Sequence, residues 1–113
     1  MAHLSLETSL TGRTAVVALR GELDLAGAGT LERELNRLES DLPATVVLDL
    51  RDVDFMDSSG LRVIATSAQR ALRHGQRFAL VPGAAQVMRV FDITRMRERL
   101  DFVGDPQEVT GSS

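Results

Sequence analysis

The sequence predicts an α/β domain built on one mainly parallel sheet of four or five strands. Two observations carry this. From residue 14 onward, apolar runs of strand length alternate with stretches whose apolar residues recur every three or four positions, the pattern of strand–helix–strand units. The chain also has 113 residues, enough for a single core but not for two.

Taken in order, His3 to Ser9 alternates Leu4 and Leu6 with Ser5 and Glu7, as a half-buried strand does. Thr11-Gly12 supplies a turn and Thr14 to Arg20 a second strand, so an antiparallel hairpin opens the chain. Gly21-Glu22-Leu23-Asp24 ends that strand. Leu31, Leu35 and Leu38 then form the buried stripe of an amphipathic helix, with Glu32, Arg33, Glu34, Arg37 and Glu39 outside. Gly27-Ala28-Gly29 lacks the third glycine of a nucleotide-binding loop, Glu32 standing in its place, and reads as a flexible helix start.

Past Pro43, Val46 to Leu50 is almost wholly apolar, as a central strand should be. Arg51 to Asp54 reads as a charged loop approaching the next helix. That helix runs from Ser58 to His74, closed by Gly75. Arg77 to Val81 is a further strand, ended by Pro82-Gly83. Ala84, Val87, Met88 and Phe91 mark a short third helix, and Leu100 to Val103 a last strand. Val47, Leu48, Leu31, Leu35, Ile64, Ala68 and Leu72 are expected in the core. With right-handed crossovers and strands laid down in chain order, the helices fall on one face of the sheet. Asp105-Pro106-Gln107-Glu108 is a helix-start signal followed by only five residues. One turn does not sustain itself in water, so 1–105 is expected to be the domain and 106–113 a short frayed tail.

Composition narrows the function. The net charge of −3 argues against non-specific nucleic-acid binding, and with four phenylalanines as the only aromatics there is no platform for stacking bases. No apolar run approaches 18 residues and the N-terminus has no basic-then-apolar pattern, so neither a membrane span nor a signal peptide is expected. Cysteine is absent, which removes disulfides and thiolate metal sites and fits a reducing cytoplasm. All 13 basic side chains are arginine, for which we have no structural account.

The densest chemistry lies in Asp54-Phe55-Met56-Asp57-Ser58-Ser59-Gly60-Leu61, where a strand runs into a helix. Binding collects at such junctions in open α/β sheets. Two readings of Asp57-Ser58-Ser59-Gly60 are open: a helix cap, or a hydroxyl held at a helix N-terminus to accept phosphate.

Phe55-Met56-Asp57-Ser58-Ser59-Gly60-Leu61 closely resembles the signature of the STAS domain family, specifically the bacterial anti-sigma factor antagonists. Gly21-Glu22-Leu23-Asp24 and Val90-Phe91-Asp92-Ile93-Thr94 resemble two further family markers, in the right order and spacing, so the resemblance covers about residues 4 to 105. It implies the STAS fold, with an antiparallel N-terminal strand and helices mostly on one face. It also implies that Ser58 is a phosphoacceptor. The partner would be an ATP-binding anti-sigma factor that is itself a serine kinase, with a serine phosphatase as a possible second partner. Unphosphorylated protein would sequester the anti-sigma factor and free a sigma factor; phosphorylation would release it. Asp24, Asp57, Ser58, Ser59, Gly60 and Arg62 are the expected partner-binding residues. Where the family has Thr-Gly-Leu, this chain has Thr94-Arg95-Met96. If that glycine normally takes positive φ, arginine there costs of order 1 kcal/mol.

The enzyme reading is weaker. Asp57-Ser58-Ser59-Gly60 is not the Gly-x-Ser-x-Gly elbow of a serine hydrolase. His74 ends the helix that Ser58 begins, more than about 20 Å away at 1.5 Å per residue. Asp24, Asp49, Asp54 and Asp57 read as a solvated rim rather than a metal or acid–base pair. No enzyme activity, cofactor, metal, nucleic acid or membrane contact is expected. The protein is expected to be a cytoplasmic monomer or weak dimer. The competing reading is a STAS scaffold or sensor within a larger signalling assembly.

Overall fold

A computed structural model of the chain describes residues 3–41 and 43–110. Five strands form one sheet in the order β1 (Ser5–Thr11), β2 (Thr14–Leu23), β3 (Thr45–Met56), β4 (Arg77–Val81) and β5 (Asp101–Phe102). The β1–β2 hairpin is antiparallel and every other pair is parallel. The helices are α1 (Leu25–Asp41), α2 (Ser58–Arg73), α3 (Ala85–Ile93) and the single turn α4 (Gln107–Thr110), with a 3-10 turn at Met96–Glu98. Strand order equals chain order, so right-handed crossovers put α1, α2 and α3 on the same face, as expected.

The main core lies between that face and the three helices. Leu19, Leu48, Leu50 and Leu80 from the sheet meet Leu31, Leu38, Ile64 and Phe91 from the helices. The opposite face is thinner. Val47, Ala79 and Val81 are covered there by Val109, which α4 carries and which is itself only 4% exposed. This corrects the expectation of fraying from 106 as far as Thr110: a buried valine supplies what four residues of helix cannot. Residues 111–113 lie outside the described residues.

Two further expectations fail. Arg51 to Asp54 is strand, not loop: Asp52 and Val53 pair with Arg20 and Gly21, and β3 continues to Met56 opposite Leu23. Its charges stay exposed while Val53 turns inward at 2% exposure. The register shifts twice on the way, between Ala18 and Arg20 and between Gly21 and Glu22. Leu72 is not in the core but 80% exposed, and Ala68 is only partly buried. The buried stripe of α2 runs through Gly60, Leu61, Ile64 and Ala71. At about 100° per residue Leu72 stands well round from Ala71 and Ile64, past the edge of the stripe.

Elsewhere polar contacts bind elements together. Glu34 of α1 accepts hydrogen bonds from Thr8 of β1 and from Arg37, and the Arg37 contact is the main cause that holds its carboxyl below the usual range. A lowered folded-state value stabilises above the unfolded value and fades as pH falls. Glu34→Gln should therefore lower the urea midpoint at neutral pH, and the difference from wild type should shrink as pH drops below about 4.

The second residue past α3 also departs from ordinary backbone geometry. Arg95 has φ 61° and ψ 17°, the left-handed region, and its side chain makes no cap. The glycine that the family resemblance places here suits this conformation without cost. Arg95→Gly is expected to stabilise the fold by about 1 kcal/mol, seen as a raised urea midpoint at unchanged slope.

Candidate functional site

The parallel pairing of β2 and β3 brings their carboxyl ends together, Leu23 beside Met56. A helix leaves each end, and each is capped by an aspartate. Asp24 Oδ1 accepts from the Gly27 amide at 2.9 Å while its carbonyl accepts from Ala28 at 2.7 Å. Asp57 has extended backbone, φ −117° and ψ −170°, and its Oδ1 accepts from the Ser59 amide at 2.9 Å. Both side chains thereby satisfy amides left over at a helix start.

The two caps are fastened to each other through Leu23. Its carbonyl accepts from the Asp57 amide at 3.4 Å, and its fully buried side chain lies under Gly60. A Cβ on Gly60 would stand 2.6 Å from Leu23 Cγ and 2.9 Å from Leu23 O. Only glycine permits this approach. Gly27 has the same reason to be glycine, since a Cβ there would lie 2.5 Å from Glu22 O.

Ser58 is the first residue of α2 and is exposed, while Ser59 behind it is half-buried and Gly60 buried. Because Asp57 already occupies the cap, the Ser58 hydroxyl is not consumed in capping. The structure thus brings Asp24, Asp57, Ser58, Ser59 and Gly60 onto one rim at the carboxyl edge of the sheet. Arg62 lies one turn along α2, exposed and with no ion pair among the described residues. At a helix N-terminus an added phosphate meets the positive end of the macrodipole, so the rim can carry one without unwinding the helix.

Three neighbours escaped sequence reasoning as site residues. Leu23 looks like any core leucine, and its role under Gly60 depends on a contact 37 positions away in the chain. Leu25 and Phe55 are large apolar groups, 76% and 46% exposed, flanking the aspartates of the rim. Their signal in the sequence was an apolar side chain beside an acid at a strand–helix junction.

The fold that carries this rim is that of a known family. The STAS domain model matches residues 5–108, so the chain belongs to the STAS domain family. Its relatives are anti-sigma factor antagonists. An anti-sigma-B factor antagonist of Staphylococcus aureus is 25% identical over 107 residues, covering 95% of this chain and 98% of that protein. The anti-sigma-F factor antagonist RsfB of Mycobacterium tuberculosis is 36% identical over 56 residues, half of this chain and 46% of that protein, so this chain spans under half of RsfB's length there. Among solved structures, the Bacillus cell fate determinant SpoIIAA in its phosphorylated form superposes with a TM-score of 0.75 over 96% of this chain and all of that one, at 17% identity, a likeness of fold. No helix among the described residues is long and apolar enough to cross a membrane.

The packing of the rim has a direct test. Gly60→Ala should destabilise by about 1–3 kcal/mol in urea unfolding, the usual cost of overpacking a core that cannot yield. Asp57→Ala should cost about 1 kcal/mol as a lost cap.

Proposed function

We propose that this chain is an anti-sigma factor antagonist regulated by phosphorylation of Ser58. In its unphosphorylated state it binds, in the cytoplasm, an ATP-dependent anti-sigma factor kinase through the rim of Asp24, Asp57, Ser58, Ser59, Gly60 and Arg62, and so frees a sigma factor. Phosphorylation releases the partner, and a serine phosphatase resets the cycle. The observation that carries this reading is an exposed serine at the first position of α2, free of the capping duty that Asp57 performs.

The magnitudes support the switch. Phosphate brings about −1.5 to −2 charges to the rim. Two unit charges 4 Å apart at an effective dielectric of 20 interact by about 4 kcal/mol. A tenfold loss of affinity needs only about 1.4 kcal/mol, so one apposed acidic group on the partner is enough.

The test begins with co-purification in the presence and absence of ATP, followed by phosphosite mapping. Ser58→Ala should fold, bind the recovered anti-sigma factor and resist phosphorylation. Ser58→Asp should fold but bind at least about tenfold more weakly, with the defect shrinking at high salt as the Debye length shortens. Wild-type binding by both variants would end the proposal.

A further inference from the structure

The carboxyl and amino edges of the sheet carry opposite chemistry. At the carboxyl edge, Glu22, Asp24, Asp54 and Asp57 make no ion pair among the described residues, and Leu25 and Phe55 stand exposed beside them. The amino edge is where β2, β3 and β4 begin and where α2 and α3 end, since Thr14, Thr45 and Arg77 are neighbours in register. The acids Asp92 and Asp101 there are already engaged, by Arg97 at 3.2 Å and Arg77 at 2.8 Å. Arg73, Arg95 and Arg99 make no ion pair among the described residues. Arg62 near the first edge runs against this division, as do Glu98 and the α1-end residues Glu39 and Asp41 near the second, where Arg70 and His74 engage Glu39 and Arg37 engages Asp41.

The amino edge also holds a groove of about 240 Å³ between the end of α2 and the approach to β5. Ala68, Leu72, Phe78 and Leu100 form its apolar lining, the paired Arg77 and Asp101 also line it, and Arg99 is its unpaired cation among the described residues. Leu72, 80% exposed, stands at its wall. A leucine on this scale of exposure, beside a cation, is suited to receive an apolar side chain ringed by acids. The other edge of the same chain presents Leu25 next to Asp24, and Phe55 next to Asp54.

We propose that the protein self-associates head to tail, the acidic carboxyl edge of one copy docking on the basic amino-edge groove of the next. The two surfaces are different, so the contact is heterologous and does not close at a dimer; it adds copies one after another. Small contact patches with exposed charges make the association weak and salt-sensitive. It also covers the edge bearing Ser58, so copies in a string would compete with a partner for that rim; this consequence alone rests on the proposed function.

Sedimentation equilibrium on the purified chain, with no partner present, tests the contact whatever the fate of the phosphorylation reading. At low salt the average mass should climb with concentration beyond twice the 12.3 kDa monomer without a plateau. It should fall back when salt rises from about 0.1 M to about 1 M and the Debye length drops from about 10 to about 3 Å. Leu72→Asp, at an exposed position, should weaken the association at least tenfold. The pair Arg73→Glu with Arg99→Glu should be monomeric, and so should the pair Glu22→Arg with Asp54→Arg. Mixing these two doubly substituted proteins should restore association, because each supplies the charge the other has lost. A constant monomer mass in the wild type overturns the proposal, as does a salt-indifferent plateau at a dimer. Association that survives Leu72→Asp, or a mixture that stays monomeric, overturns it equally.

Discussion

The contact between Leu23 and Gly60 is the constraint from which the functional edge follows. Leu23 ends β2 and Gly60 sits in the first turn of α2, and the absent side chain at residue 60 lets helix backbone rest on the leucine. The Asp57 amide reaches the Leu23 carbonyl across the same seam. Parallel pairing had already placed the two strand ends side by side. The seam fixes how the two helices leave them, and hence where Asp24 and Asp57 stand.

That arrangement separates two tasks that a single serine could have been asked to combine. A serine at the cap position would have its oxygen committed to an amide of the first turn. Here the aspartate one position earlier takes the amide, and the serine is left outward at the first helical residue. An exposed phosphate in water-like dielectric is repelled by about 1 kcal/mol per pair of unit charges at 4 Å, less as distance and salt increase. The helix terminus returns about 0.3–1 kcal/mol, up to about 2 in favourable geometry. The helix start therefore offsets part of the repulsion from the neighbouring carboxylates, while the added charge transforms the potential of the surface.

Much of this was legible in the sequence because it is local. The hairpin, the stripe of Leu31, Leu35 and Leu38, and the run from Val46 to Leu50 each announce themselves within a few residues. The Asp57 cap was legible for the same reason. Non-local facts were hidden. Arg51 to Asp54 reads as loop until β2 is seen to extend alongside it, with two register shifts that bring a charged segment into pairing. Leu72 fits a three-or-four spacing, yet such spacings accumulate drift over a long helix, and the buried face had moved to Ala71. Val109 has too few companions in the sequence to predict burial; only the bare patch of Val47, Ala79 and Val81 gives it a place.

The polarity of the molecule has a cause in the fold itself. In a parallel sheet whose helices all return on one face, every helix begins at the carboxyl edge and ends at the amino edge. Helix starts favour acids and helix ends favour cations, because the macrodipoles ask for both. In α2 the same helix has Asp57 at its start and Arg70 and Arg73 in its last turn. Asp24 does for α1 what Asp57 does for α2, and Arg95, Arg97 and Arg99 follow the end of α3. α1 runs against the rule, ending in Glu39 and Asp41 with no basic residue in its last turn, so the basic character of the amino edge comes from the end of α2 and the arginines after α3. An exposed hydroxyl at a helix start then sits by construction on the acidic side. There a further negative charge sharpens a field the fold has already set up.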